Sequence, residues 1–324
     1  MGSDESAVHR VVLTGASGAL GRNFLELVGH REDFRVLALL RHESRQVTEW
    51  PTVEVARLDS FDRPKVGAII SQFRPTSIVH CAATGMTFPR TEWFELIRFN
   101  VDLTVNLCEC AATLPGCQFV FVSTGLAYRE QGRPLAEDDA LDTLHPYGSS
   151  KAAADLLVRS AAAEFAVPLT VLRPFSFTGL DDDRTRLFSH LLRAAQEGAT
   201  VELSAGTQVR DHCSARDIAA GIVRALETAT AGPQSARVFN LGGGNAQPLR
   251  TVIEDVVAQL GLNLTLNFGA RPFGRFEPRH LVADTRRASS ELGWQPRHNL
   301  AHAVWQLARE SFPGLAVREP KEDL

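Results

Sequence analysis

The chain is expected to fold as an α/β protein, a doubly wound parallel sheet covered on both faces by helices, with a smaller C-terminal substrate-binding lobe. Three observations predict this. In the first half, short apolar runs alternate with segments whose apolar residues recur at helical spacing, the pattern of strands joined by crossover helices. The first apolar run ends in a glycine-rich turn that leads straight into a helical segment. With 324 residues and 44% hydrophobic content, the chain can bury more than one small core, which suggests about two domains.

Taken in order, strands are expected at residues 10–13, 34–40, 53–58, 77–81, 118–123 and 169–172. Leu20, Phe24, Leu27 and Val28 mark the first helix, Val66, Ile69, Ile70 and Phe73 the second, and residues 101–112 a third. A further helix starts near Pro146 and runs to about Phe165, its buried side dominated by Ala and Leu. Residues 237–241 form a late strand that rejoins the sheet before the Gly242-Gly-Gly turn. This ordering assigns 1–174 with about 212–246 to a dinucleotide-binding domain, 175–211 with 247–314 to the substrate lobe, and 315–324 to a tail. The first nine and last ten residues read as loose.

Composition excludes several classes. A net charge of −4 spread along the chain argues against nucleic acid or an anionic membrane surface as partner, and the Arg41–Arg45 stretch is interrupted by Glu43. The opening Met1-Gly-Ser-Asp-Glu-Ser is acidic and polar, unlike a secretory signal, and no apolar run approaches the roughly 20 residues that span a bilayer. The expected location is the cytoplasm. Five cysteines, an odd number, read as free thiols. Cys108-x-Cys110 and Cys117 lack a second ligand pair at zinc spacing, and His298 and His302 lack a third ligand, so no metal is expected.

The turn Thr14-Gly15-Ala-Ser17-Gly18-Ala19-Leu20-Gly21 has glycines for a tight bend, for close approach of backbone to a pyrophosphate, and for helix–strand packing. It marks a Rossmann-type dinucleotide site made by Gly15, Ser17, Gly18, Ala19, Leu20 and Gly21. NAD sites usually carry an acidic residue about 20 positions on. Here the second strand ends in Arg41, with Arg22 after the last glycine and Arg45 nearby, which suits a 2′-phosphate and favours NADP over NAD; Glu43 is the acidic alternative. Asp59, past the third strand, is placed to accept from the adenine amino group.

Tyr147-Gly-Ser-Ser-Lys151 places a phenol and an ammonium one helical turn apart on one face. The chain has two tyrosines and only three lysines, Lys65, Lys151 and Lys321, so this spacing has chance odds of roughly 2 in 100. A phenol with an ordinary pKa of about 10 handles protons poorly at neutral pH unless a cation stabilises its phenolate, and lysine can in addition donate to a sugar hydroxyl.

Together these residues resemble the extended short-chain dehydrogenase/reductase family, within it the nucleotide-sugar epimerases, dehydratases and ketoreductases, over nearly the whole chain. The resemblance implies that Thr124, four residues before a tyrosine at the end of a strand, is the catalytic hydroxyl, with Ser123 as neighbouring candidate. It implies that His80-Cys-Ala82-Ala lies beside the cofactor and that Asn100 packs behind the site. Leu172-Arg-Pro-Phe-Ser176-Phe-Thr178-Gly179 resembles a substrate segment, but Ser176 and Thr178 replace the usual asparagine and tyrosine. The stretch from Gly206 to Asp217 is a closer match, and it implies that Arg210 binds the substrate pyrophosphate, with Arg271 or Arg275 as second phosphate contact. Leu292-Gly-Trp294 resembles the C-terminal signature. A homodimer is the implied assembly.

Dehydratases of this family follow the catalytic threonine with an aspartate and a glutamate. Gly125 and Leu126 stand there, and neither transfers a proton, which argues against dehydration. One-way hydride transfer (a ketoreductase) or transfer out and back (an epimerase) remains. Arg41, and the likeness of residues 268–277 to nucleotide-linked 4-keto-6-deoxysugar reductases, favour an NADPH-dependent 4-ketosugar reductase. The alternative is a nucleotide-sugar 4-epimerase with resident NAD. A non-catalytic dinucleotide-binding regulator of the same fold tends to lose the Tyr–Lys pair, which is kept here. A serine hydrolase needs Gly-x-Ser-x-Gly after a strand, and the context of Ser17 does not fit.

Overall fold

The computed structural model describes residues 8–86, 92–180, 182, 185–228 and 236–321. The chain runs β1 (His9–Thr14), α1 (Ala19–Val28), β2 (Phe34–Arg41), β3 (Val53–Leu58), α2 (Arg63–Phe73) and β4 (Ser77–His80). A short helix α3 (Trp93–Leu96) passes through a π-helical segment, Ile97–Asp102, into α4 (Leu103–Ala112). Next come β5 (Gln118–Val122), α5 (Pro146–Glu164), β6 (Leu169–Pro174), β7 (Phe177–Thr178), α6 (Leu187–Glu197), β8 (Thr200–Leu203), β9 (Val209–Arg210) and β10 (Cys213–Ser214). The last stretch holds α7 (Ala215–Glu227), β11 (Arg237–Leu241), β12 (Gln247–Pro248), α8 (Leu249–Leu260), β13 (Thr265–Phe268), β14 (His280–Leu281) and α9 (Leu300–Ser311).

Seven strands make the main sheet in the order β11-β6-β5-β4-β1-β2-β3. The pairings of β1 with β2 and β4, of β2 with β3, and of β5 with β4 and β6 are parallel. β4, β5 and β6 are buried at every residue, as a sheet covered on both faces requires, and their sequences are accordingly near-continuous apolar runs. β3 is the edge strand, and its Val-Glu-Val-Ala-Arg-Leu sequence is half exposed. Strand order reverses between β1 and β4, the switch point at which open α/β sheets take ligands beyond the strands' C-terminal ends.

Two compact units divide the chain: Met1–Ser123 with Ser150–Leu172 and Ala219–Val238, and Thr124–Ser149 with Arg173–Ile218 and Phe239–Leu324. Relative to the expected division, residues 124–149, 173–174, 212–218 and 239–246 go with the second unit; the turn after β5 packs on a residue of that unit, Phe175. The first unit's core is built on Phe119, Phe121, Val171, Ile70 and Leu107. In the second, α6, α8 and α9 bury Phe188, Leu192, Val256, Leu260, Val304 and Leu307, each large apolar side chain contributing about 1.5–3 kcal/mol. The expected loose tail is in part packed: Leu315 and Val317 lie against this core and the Arg318 amide donates to the Leu260 carbonyl at 2.9 Å. Residue 9, also expected to be loose, begins β1.

Candidate active site

The glycine turn follows β1 as expected, and two of its glycines are needed for packing. Gly15 has φ +78°, and a Cβ there would sit 2.6 Å from the Ala82 amide nitrogen; a Cβ on Gly21 would strike the Gly15 carbonyl and lie 2.7 Å from Ala16 Cα. Gly18 differs. Its hypothetical Cβ meets nothing closer than the Gly15 carbonyl at 3.5 Å, and the residue is exposed. It caps α1 without a side-chain hydrogen bond, so the first-turn amides, those of Ala19 and Leu20 among them, have no partner within the helix and face the side Gly18 leaves open. That arrangement fits a dinucleotide pyrophosphate. Ser17 is half-buried in the same turn.

At the end of β2, Arg41 is exposed, with its Nη1 3.5 Å from Glu43 and its guanidinium 5.8 Å from the Phe99 ring centre. Asp59 is also exposed and pairs with His42 at 3.2 Å. Arg22 is half-buried. The cationic rim expected for a 2′-phosphate is therefore a mixed one, with a carboxylate beside Arg41. Behind β4, Asn100 sits in the π-helical segment, fully buried. Its Oδ1 accepts from the Thr84 amide at 2.9 Å, and its Nδ2 donates to the Thr84 carbonyl at 2.9 Å and to Ser150 Oγ at 2.8 Å. Asn100 thus clamps the loop carrying Ala82 and holds α5 one residue before Lys151.

Lys151 is completely buried, and its Nζ has no hydrogen-bond partner among the described residues. It lies 4.1 Å from the Phe121 ring centre. Burial, opposed by the Cys81 thiol and Asp155, pulls its pKa down to about 7. A buried ammonium without an acceptor is costly, and the hydroxyls of a nicotinamide ribose are acceptors of the missing kind. One turn earlier on α5, Tyr147 is 8% exposed, and burial pushes its phenol up to about 12, opposed by the nearby charge of Arg186.

Thr124 lies two residues past the end of β5 and caps the short turn Gly125–Ala127. It is 6% exposed, and its Oγ1 accepts from the Leu126 amide at 3.2 Å, which leaves the hydroxyl proton free to be donated. Gly148 lets the start of α5 rest on this turn, since a Cβ there would collide with the Leu126 carbonyl and lie 3.0 Å from Thr143. That close approach brings Tyr147 to the Thr124 turn. Ser123, the neighbouring candidate, is buried with no partner for its Oγ among the described residues. Tyr128 is structural: its hydroxyl donates to Asn240 Oδ1 at 2.6 Å and accepts from Arg173 at 2.7 Å.

Of the expected substrate residues, Arg210 is buried and held by the carbonyls of Val209 and Pro278 at 2.9 and 2.7 Å and by Glu277 at 3.5 Å. Ser176 is half-buried, while Arg271 and Arg275 are exposed, Arg275 lying 5.0 Å from the Phe276 ring. Trp294 of the C-terminal signature donates from Nε1 to the Asp217 carbonyl at 2.7 Å, and His298 pairs with the Asp217 carboxylate at 2.6 Å. Sequence reasoning missed Arg186. It precedes α6 and is pinned by Asp182 at 2.8 Å, the Phe177 carbonyl at 2.9 Å and the Phe177 ring at 4.8 Å. One arginine among many carries no signal of its own; only the fold puts its charge near Tyr147. Among the described residues, no group of three or more His, Cys, Asp or Glu side chains could hold a metal ion, and no helix is long and apolar enough to cross a membrane.

A glycine-rich turn at the sheet's switch point, with a Tyr-x-x-x-Lys pair on the helix after β5, defines an NAD(P)-dependent enzyme of the extended short-chain dehydrogenase/reductase class. Residues 11–242 match the NAD dependent epimerase/dehydratase family, and the chain belongs to it. It is 26% identical to the UDP-glucose 4-epimerase of Corynebacterium glutamicum over 89% of this chain and 91% of that one, and 25% identical to that of Lactobacillus helveticus over 89% and 92%. The crystal structure of UDP-glucose 4-epimerase from Brucella ovis in complex with NAD superposes with a TM-score of 0.84 at 21% identity, covering 96% of this chain and 100% of that one. MoeE5 in complex with UDP-glucuronic acid and NAD gives 0.77 at 25% identity over 93% and 98%.

Proposed function

We propose that this protein is a 4-epimerase of a UDP-linked sugar that works with NAD, in place of the NADPH-dependent reductase expected from Arg41. The observation that carries the reading is the agreement of relatives matched over about nine-tenths of both chains, which are UDP-glucose 4-epimerases. The site supports it by what it lacks. A side chain at position 125 would meet the Phe175 ring at 2.8 Å, so the acid that a dehydratase carries after its threonine has no room. Arg41, beside Glu43, no longer argues for a 2′-phosphate.

In this reading the glycine turn and the amides of Ala19 and Leu20 hold the pyrophosphate, and Lys151 holds the nicotinamide ribose. A nicotinamide held there would supply reversible hydride acceptance at the sugar's C4. Tyr147 takes the proton of the C4 hydroxyl and later gives it back, so the cycle is redox-neutral. Thr124 keeps that hydroxyl in line by donating its free proton, and the positive charge of Arg186 favours the phenolate. Arg210, already fixed by two carbonyls, is the proposed anchor for the substrate pyrophosphate, with Arg271 or Arg275 assisting.

We also propose a homodimer. Trp93, Phe94 and Ile97 are exposed on α3 and the π segment, Leu156 and Leu157 on α5, and the Asn100–Ser150 hydrogen bond sets these helices side by side within one unit. An exposed apolar patch of this kind suits a self-complementary contact.

The test is to incubate purified protein with UDP-glucose and no added dinucleotide, following UDP-galactose by chromatography, and to identify any nucleotide released on denaturation. Interconversion with NAD released is expected. An empty site together with stoichiometric NADPH oxidation by a 4-ketosugar would overturn the reading in favour of the reductase.

A further inference from the structure

One buried histidine of the first unit has no part in the reaction just described. His80 ends β4, in register with Thr14 at the end of β1, and is fully buried. Its Nδ1 lies 2.7 Å from Thr14 Oγ1 and its Nε2 lies 3.0 Å from Thr104 Oγ1. Thr104 spends its single hydroxyl proton on the Asn100 carbonyl at 2.7 Å, so toward His80 it can only accept. The imidazole proton must then be on Nε2. Nδ1 is bare and accepts from the Thr14 hydroxyl, whose oxygen in turn accepts from the Ala82 amide at 3.4 Å, the peptide on which Gly15 packs. At the other end Asn100 continues the chain to Thr84 and to Ser150 Oγ.

We infer that His80 is a positioning residue, a permanently neutral imidazole in the Nε2–H tautomer that ties the glycine turn to Asn100 and, through Ser150, to the helix carrying Lys151. Its surroundings suit a neutral ring. It stacks on Phe119 and Phe121, with centroids 6.3 and 5.8 Å apart, and Lys151 lies over the same Phe121. Burial first, and the Lys151 charge second, hold the imidazole well below its ordinary pKa. A doubly protonated ring would reverse the Thr14 arm, Nδ1–H donating to Oγ1, and would leave the Thr14 hydroxyl proton without its His80 acceptor. The consequence for ligand affinity rests on the dinucleotide reading above; the tautomer does not.

Long-range proton–nitrogen spectra of the full-length labelled protein between about pH 5.5 and 8.5 should show one histidine, identified by its perturbation in Thr104→Val, with bare Nδ1 and protonated Nε2 throughout. A ring that titrates in this range, or that carries its proton on Nδ1, would overturn the assignment. Thr104→Val should weaken NAD binding roughly tenfold by calorimetry, and Thr104→Ser should restore it, as expected for a lost hydrogen bond. A Thr104→Val protein with a lower melting temperature but wild-type NAD affinity would make the network merely structural. If the wild type bound no NAD, the functional reading would fall, and the spectra would still decide the state of His80.

Discussion

Lys151 sits in the folded protein at a cost that a ligand can offset. Its folded pKa of about 7 lies below the ordinary 10.5, so between these values the unfolded chain binds the extra proton and stability rises with pH. The penalty is full below pH 7 and is lifted as pH climbs toward the unfolded value. Lys151→Met should therefore raise the melting temperature of the ligand-free protein at pH 7 by at least about 2 °C, the shift that 1 kcal/mol produces, with the gain shrinking toward pH 10, while turnover is lost. Scanning calorimetry at the two pH values checks this; a destabilised mutant at pH 7 would contradict it. Tyr147→Phe isolates the proton. Turnover should fall roughly 100-fold or more with dinucleotide affinity nearly unchanged, and near-normal turnover in a folded mutant would remove Tyr147 from the chemistry. Arg210→Ala should raise KM far more than it lowers kcat, because a pyrophosphate that does not react is held equally in ground and transition states. A mutant that loses kcat alone would make Arg210 a structural residue.

Among the elements, the turn between β1 and α1 separates glycines that serve the fold from one, Gly18, that the proposed function assigns to a ligand. Gly21→Ala must push into the Gly15 carbonyl and should lower the melting temperature markedly. Gly18→Ala meets ordinary contacts and should leave stability within about 0.5 kcal/mol, yet weaken dinucleotide binding by an order of magnitude. Thermal melts paired with binding titrations decide this, and equal affinity in Gly18→Ala would deny the turn its ligand. The spacing of these glycines was legible in the sequence, but their division of labour was not, because it depends on Ala82, which reaches Gly15 only across the β1–β4 pairing. The same holds for the helix behind β4. Its apolar residues 101–112 were readable, whereas the π-helical turn that aims Asn100 at Thr84 and Ser150 has no sequence signature.

For the whole molecule, the exposed Trp93, Phe94, Ile97, Leu156 and Leu157 predict self-association. Sedimentation should find a dimer at micromolar concentration and a monomer for Leu157→Glu; a monomeric wild type would leave this surface without its proposed partner. At this scale the sequence by itself determined the α/β class, the place of the glycine turn after the first strand, and the Tyr147–Lys151 spacing on which the proposed chemistry rests. All of these are local: a periodicity, a turn chemistry, or two residues one helical turn apart. Tertiary structure alone decided the rest. It gave Tyr147 the charge of Arg186, sealed position 125 with Phe175 and made Tyr128 a buried link between Asn240 and Arg173. The physical reason is that a side chain's charge, proton and reach are set by neighbours from distant parts of the chain, and no pattern along the sequence records which of thirty-four basic residues will be brought to which partner.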